Sequence, residues 1–168
     1  MGNGLQDADA GAVPRLGKVL LLSTSTERRA WAARALGGRG CASAYAYLRR
    51  ALWDPEESVR ASAVDAIGEL AVIQSAGELA AVYAWSSPRL RRAIMRAVRH
   101  MGTGYAFDGI LRLASTDPDR KVRTLAMRAA HSGGHSHALP GHSHALLARL
   151  WHSRGHFWWH SLSQGGRS

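Results

Sequence analysis

Four histidines near the carboxyl end of the chain have a spacing that suits a metal ion. His135 and His137 form one His-x-His pair, and His142 and His144 repeat it in a tandem heptad. Imidazole nitrogens bind Zn, Ni and Cu, so these four side chains are the predicted metal ligands. No cysteine or acidic residue follows position 130 to complete the set. A low-complexity tail without metal is therefore the alternative, and the expected cofactor is either none or Zn or Ni at these histidines.

A second group that could do chemistry consists of five arginines, which we predict to bind an anionic partner: Arg34, Arg92, Arg96, Arg99 and Arg128. Arg92, Arg96 and Arg99 follow one another at i, i+4 and i+7, which places them on one face of a helix. A guanidinium group donates two parallel hydrogen bonds to a phosphate or a carboxylate. In the second copy of the repeat, Asp65 occupies the place that Arg34, Arg96 and Arg128 occupy in the other copies. Because this acidic residue interrupts the basic pattern, a merely solvated helix face is the alternative.

An internal repeat positions these arginines. Four copies align with a single inserted residue, and the arginines at one equivalent place are Arg29, Arg60, Arg91 and Arg123. The interval from Arg29 to Arg60 is repeated from Arg60 to Arg91. Such a fixed period is typical of solenoid proteins. Each copy carries apolar residues with the spacing of one α-helical face, as in Val59, Ala63, Ala66 and Ile67. The chain is therefore predicted to be all-α.

Each of these helices is predicted to follow a start signal and a partner helix. The start signals combine a capping residue with a proline, as in Asp54-Pro55, Ser87-Pro88 and Asp117-Pro118. The partner helices are predicted over residues 13–22, 42–52, 76–85 and 105–114. Glycine-containing turns at residues 37–38, 68 and 102–104 are predicted to close the repeats.

The pattern Asp54-Pro55-x-x-x-Val59-Arg60-x-x-Ala63-x-x-Ala66-Ile67-Gly68, with its echo from Asp117 to Ala129, resembles HEAT repeats. The short period is similar to that of the bacterial subclass found in phycobilisome lyases. The resemblance implies a right-handed α-solenoid of about four helix pairs over residues 12–133. We expect an N-terminal tail over residues 1–11 and a His/Trp-rich C-terminal extension over residues 134–168, a candidate cap for the last repeat.

The resemblance also implies a structural role for the recurring arginine. In HEAT repeats this residue bonds across repeats with the aspartate six residues before it. Asp54 with Arg60 and Asp117 with Arg123 keep that spacing, whereas the other two copies lack the aspartate. We therefore predict that the arginine column stabilises the stack rather than binding a ligand.

Two surface features also depend on the stacked arrangement. The second helix of each pair in HEAT-like stacks lines the concave surface, so the five predicted anion-binding arginines are expected in a groove. Trp53 and Trp85 end successive first helices. We predict that their rings pack in the core and between repeats rather than stacking on nucleic-acid bases.

Composition and charge restrict the environment and the kind of partner. The chain has 168 residues and a net charge of +10, which favours acidic partners such as nucleic acid, an anionic membrane surface or an acidic protein face. The only cysteine, Cys41, excludes an intramolecular disulfide. Apolar runs such as Val19 to Leu22 are far too short to span a membrane, and the first twelve residues do not resemble a signal peptide. We expect a soluble, cytoplasmic protein.

The function predicted from these features is that of a non-enzymatic scaffold or adaptor that binds a protein partner. One version of this hypothesis makes the scaffold a component of a larger assembly. The alternative is a protein that binds the phosphate backbone of nucleic acid, including a ribonucleoprotein subunit. A weaker alternative is an enzyme of the HEAT-like lyase or DNA glycosylase type. No catalytic residue is predicted, because no recognisable Ser-His-Asp set, phosphate-binding glycine loop or carboxylate pair is present.

Overall fold

The computed structural model describes the backbone of residues 4–102 and 104–132. It describes the side chains of residues 11–102, 104 and 106–131. The chain divides into two compact units, Met1–His135 and Ser136–Ser168. The second unit lies outside the described residues, and so do the predicted metal ligands. Everything below concerns the first unit.

The described part of the chain is built from eight α-helices and contains no strand, as predicted. In chain order they are α1 (Gly4–Leu22), α2 (Thr26–Gly37), α3 (Tyr45–Ala51), α4 (Glu57–Glu69), α5 (Ala76–Ala84), α6 (Pro88–Met101), α7 (Asp108–Ser115) and α8 (Arg120–Ser132). A short 3-10 turn precedes α3, α5 and α7, at Ala42–Ala44, Ile73–Ser75 and Tyr105–Phe107. The α1 helix begins at Gly4, within the residues 1–11 that were assigned to an N-terminal tail. None of the described helices is long and apolar enough to cross a membrane.

The even-numbered helices form one layer, in which α2 packs on α4, α4 on α6 and α6 on α8. The odd-numbered helices pack against them from the other side, as α1 does on α2 and α7 on α8. The core between the layers contains the apolar face predicted from the repeat, including the fully buried side chains of Leu36, Val59, Ile67, Leu90 and Ile94. Arg28, which replaces an apolar residue of this face in the first copy, is exposed.

Two glycines that were predicted to form turns instead allow adjacent helices to approach closely. Gly37 ends α2 and Gly68 lies inside α4, each with an ordinary backbone conformation. A Cβ atom on Gly68 would stand only 3.0 Å from the Cα of Ala97 in α6. The missing side chain therefore permits close packing between neighbouring even-numbered helices.

The tight turns between repeats follow shortly after these glycines. Gly40, Ala71 and Gly102 occupy equivalent places in successive repeats, and each has a positive φ, of 63°, 51° and 84° respectively. This left-handed conformation suits glycine, whereas Ala71 adopts it at a cost in conformational energy. The period seen in the side chains thus extends to the backbone of the inter-repeat turns.

Of the three start signals that contain proline, only the one before α6 is correct in detail. Pro88 begins this helix, and the hydroxyl of Ser87 accepts a hydrogen bond from the amide of Leu90. Before α4 and α8 the aspartate lies further out, because the Asp54 carboxylate accepts a bond from the Glu56 amide at 2.9 Å and Asp117 does the same for Asp119. These two helices begin only after the turn that the aspartate closes.

Candidate interaction surface

The recurring arginines connect each repeat to the next at the loops that join first and second helices, a region called the loop edge below. Arg29 in α2 binds Asp54 of the following repeat, with Nε 2.8 Å from one carboxylate oxygen and Nη2 3.0 Å from the other. Its Nη1 donates to the carbonyl of Ser23, in its own repeat, at 3.0 Å. The hydrogen bond to Asp54, opposed by burial, raises the pKa of Arg29, so the guanidinium group remains charged.

The structural role predicted for this column is confirmed, but the predicted partners are wrong. The side chain of Asp54 binds the arginine of the preceding repeat, and Arg60 instead donates to the main-chain carbonyl of Asp54 at 2.7 Å. Arg123 makes the same bond to the carbonyl of Asp117, at 2.7 Å. The aspartate side chain points toward the earlier repeat, since stacking brings it beside the arginine of that repeat. The copies without a preceding aspartate are therefore the ones whose arginine forms an ion pair with the aspartate of the following repeat.

The third repeat makes the same connection within a buried cluster. Arg91 lies with Nε 2.8 Å from Asp117, and the hydroxyl of Tyr83 donates to the same carboxylate. Burial opposes the ionisation of Asp117, but the bonds from Tyr83 and from the Asp119 amide and the charge of Arg91 outweigh it and lower the pKa of Asp117. Burial and the bond to Asp117 strongly raise the pKa of Tyr83. The cluster is thus a neutral phenol and an ionised pair that join α5, α6 and the start of α8.

The second repeat replaces the aspartate of this connection with an aromatic ring. At the place corresponding to Asp54, the next repeat has Trp85, and the guanidinium carbon of Arg60 lies 5.2 Å from the centre of that ring. This cation–π contact takes the place of the ion pair. Trp85 also stacks on Trp53, with ring centres 5.7 Å apart and an angle of 28° between the planes.

Both tryptophans remain open to solvent although they pack on each other. Trp53 is 55% exposed and Trp85 is 48% exposed. The predicted packing between repeats is confirmed, whereas the predicted core position is wrong, because each ring follows the last turn of its first helix and stands at the loop edge. We call Trp53, Trp85 and Arg60 the tryptophan edge. Such rings joined by an arginine are typical of the side chains that dominate protein interfaces.

The loop edge continues into the first repeat with another exposed apolar side chain. Leu22 occupies the place in the first repeat that Trp53 occupies in the second, and it is 77% exposed. Beside it is a shallow depression of about 440 Å³, lined in part by Lys18 and Arg28. Three successive repeats thus present a large apolar side chain at or next to the same place, close to basic groups.

The predicted arginine stripe is partly used for contacts between neighbouring even-numbered helices. Arg34 donates to the hydroxyl of Ser62 at 3.1 Å, and Arg92 lies 3.2 Å from Asp119. Arg96 lies 3.6 Å from Asp65, the residue that interrupts the stripe. Burial raises the pKa of Asp65, and the charge of Arg96 only partly offsets this effect. Three of the five predicted ligand-binding arginines are therefore engaged within the chain.

Residues 13–84 match the family model for HEAT repeats. The match covers the greater part of α1 and continues to the end of α5, and it supports the HEAT-repeat family. No curated protein matches the chain. Beyond the matched residues, α6 to α8 continue the same helix order, and Arg91 makes the same kind of connection to the following repeat.

The remaining two arginines of the stripe lie in α6 and α8. Arg99 and Arg128 are exposed, and neither forms an ion pair with another described residue. Residues 86–132 contain ten Lys and Arg against three Asp and Glu, whereas residues 1–85 contain nine of each. The excess positive charge of residues 1–132 is therefore concentrated in α6 to α8 and the segments that join them.

The described residues contain no group of three or more His, Cys, Asp and Glu side chains that could hold a metal ion. The predicted ligands His135, His137, His142 and His144 lie beyond them, so that hypothesis stays a prediction. The sulfur of Cys41 lies 2.9 Å from the Ser43 hydroxyl oxygen.

Proposed function

We propose that this protein is a non-enzymatic HEAT-repeat scaffold that binds a protein partner through its loop edge. HEAT repeats are commonly scaffolds for protein interactions, which agrees with the match over residues 13–84. The observation that carries the proposal is the tryptophan edge. Trp53 and Trp85 present about half of their surface to solvent, although they stack on each other and Arg60 lies over the ring of Trp85.

The energetics of protein association favour this use of the tryptophan edge. Burying a tryptophan at an interface removes a large apolar area from water, and the contact between the two rings already limits their freedom before binding. Arg60 is held by two main-chain carbonyls, at 2.7 Å each, so its position over Trp85 is also established in the free protein. A partner would therefore meet a preorganised aromatic surface.

The proposal includes several narrower statements. We take the stack to be a right-handed solenoid of the short-period bacterial type that the sequence resembles, without a lyase or glycosylase active site. The polar groups whose pKa values are shifted support this view, because Asp117, Tyr83 and Asp65 bind neighbouring repeats. A reducing compartment such as the cytoplasm is compatible with a sequence whose only cysteine is Cys41.

The experiment is affinity purification of the full chain from its own cells, with and without nuclease treatment. The parent and two variants are compared: the double variant Trp53→Ala/Trp85→Ala and the control Trp31→Ala. Trp31 is 55% exposed but lies within α2, outside the segments that join first and second helices. We expect one protein to be retained after nuclease by the parent and by the control but not by the double variant. Equal retention by the double variant, with an unchanged circular dichroism spectrum, would contradict the proposal.

A nucleic-acid partner is the second candidate, favoured by the concentration of basic residues in residues 86–132. Arginine contacts to phosphates would then supply most of the affinity. In that case nuclease treatment removes the retained material, and the tryptophan variants have little effect. The purification therefore separates the two functions.

A further inference from the structure

The basic residues of α6 and α8 form two parallel rows on adjacent helices. In α6 the row contains Arg89, Arg92, Arg96 and Arg99, at intervals of three or four positions. One repeat later, Lys121 and Arg128 occupy the places of Arg89 and Arg96 in α8, which packs directly on α6. We call the exposed members Arg89, Arg99, Lys121 and Arg128 the basic face.

The carboxylates next to this face indicate which part of it is available. Arg92 is engaged by Asp119 and Arg96 by Asp65 of α4. The four residues of the basic face are exposed and form no ion pair within residues 4–102 and 104–132. The unneutralised positive charge of this face thus lies on α6 and α8 and is bordered by acidic side chains on the α4 side.

This border favours a short acidic ligand over a continuous phosphate backbone. A nucleic acid that followed the even-numbered helices toward the first repeats would meet Asp65 and Glu69, which are both exposed on or near the end of α4. Repulsion from these carboxylates opposes an extended polyanion, whereas a segment with a few carboxylates fits between them. The arginines of this chain already bind carboxylates in the same way, as the pair of Arg29 with Asp54 shows.

We infer that the basic face binds an acidic segment of the protein partner. The inference rests on the proposed function and adds the chemistry of the ligand. Guanidinium groups from two adjacent helices bind carboxylates of one extended segment, and the tryptophan edge supplies the apolar contact elsewhere on the same repeats. Charged contacts of this exposed kind increase the association rate and select the partner more than they add affinity.

The test uses a fluorescently labelled peptide of alternating glutamate and serine, titrated with the full chain at low salt. The double variant Arg99→Ser/Arg128→Ser is compared with the control Arg28→Ser/Arg50→Ser, which removes two exposed arginines from the first two repeats. Both variants lower the net charge equally. We expect the first variant to weaken peptide binding roughly tenfold and the control to weaken it less than about twofold. Circular dichroism checks that both variants fold.

Three results would overturn the inference. Equal weakening by the two variants would mean that net charge, not the basic face, attracts the peptide. No measurable binding by the parent would mean that no acidic site exists. Tighter binding of a duplex DNA with the same number of charges, lost in the Arg99 and Arg128 variant, would assign the face to nucleic acid. The retention of a protein through Trp53 and Trp85 is measured separately, in the affinity purification. If the peptide titration fails, the proposed function is therefore still tested by that purification.

Discussion

Gly37 and Ala66 are in such close contact that a Cβ atom on the glycine would stand 2.8 Å from the Cα of the alanine. This contact joins the end of α2 to α4, in the middle of the layer of even-numbered helices. Since the neighbouring atom belongs to the backbone, it has little freedom to move away. The position therefore requires glycine for packing rather than for its backbone conformation.

Gly37→Ala should destabilise the protein by about 1–3 kcal/mol, because the added methyl group must push two packed helices apart. The control is Gly77→Ala in α5, where a Cβ atom would meet nothing within 4 Å. The control should be neutral or stabilising by up to about 1 kcal/mol, since alanine favours the helix. Chemical denaturation of both variants measures the difference. A stable Gly37 variant would mean that the two helices are further apart than described.

Ala71→Gly should stabilise the protein by about 1 kcal/mol, because it relieves the left-handed conformation of an alanine. The equivalent residues of the neighbouring turns, Gly40 and Gly102, are already glycines with a positive φ. Thermal unfolding should show a rise in Tm of roughly 2–4 °C. In contrast, Ala81→Gly inside α5 should lower Tm, as expected for glycine in an ordinary helix. If both variants lower Tm, the positive φ at Ala71 is incorrect.

Tyr83→Phe should cost about 1.5–3 kcal/mol of unfolding free energy, since it removes a buried hydrogen bond to the ionised Asp117 while keeping the ring. Tyr47 offers a matched control: it is also packed against the core, and its ring lies over Gly17. Tyr47→Phe should change stability much less. Equal losses for the two variants would show that the phenol of Tyr83 has no special partner.

The two aspartates with shifted pKa values should affect the pH dependence of stability in opposite ways. The lowered pKa of Asp117 means that its ionised form stabilises the fold above the pKa of the unfolded chain, about 3.9, and that this contribution is lost as the pH falls through the lower folded value. Asp117→Asn should therefore reduce Tm at pH 7, by an amount that shrinks in acid.

Asp65 has a raised pKa, so its stabilising contribution belongs to the protonated form and is lost as the pH rises through the folded value. Asp65→Asn should leave Tm at pH 7 unchanged or higher, although it removes the contact with Arg96. Thermal melts of both variants between pH 3 and pH 7 provide the measurement (roughly the range over which carboxyl groups titrate). A marked loss of stability in the Asp65 variant at pH 7 would show that its ion pair outweighs burial.

The sequence predicted those features that depend on the period of the chain. Val59 and Ile67 are buried because a helix returns to the same face after eight residues, and that regularity is visible without a structure. The choice of partner for Asp54 was not predictable in the same way. Its spacing to Arg60 suggested one pair, but the contact with Arg29 depends on how neighbouring repeats stack.

In the candidate site, too, the contact between repeats was predictable from the period, whereas the exposure of the side chains was not. Trp53 and Trp85 are spaced for contact between repeats, and they do stack. Their exposure depends on the end of each first helix, where a shift of one or two residues moves a ring from the core to the loop edge. The engagement of Arg96 by Asp65 likewise required the distance between α6 and α4.

Photo-crosslinking at the tryptophan edge is the measurement that tests the central claim most directly. A benzophenone amino acid replaces Trp53 in one variant and Trp31 in another, and both variants are irradiated in cells and treated with nuclease. These positions are equally exposed, at 55% each, so general collisions should label them equally. The account predicts a discrete protein crosslink from position 53 and none from position 31. Equal labelling at both positions, or a crosslink from position 31 alone, would contradict a protein-binding surface at the loop edge.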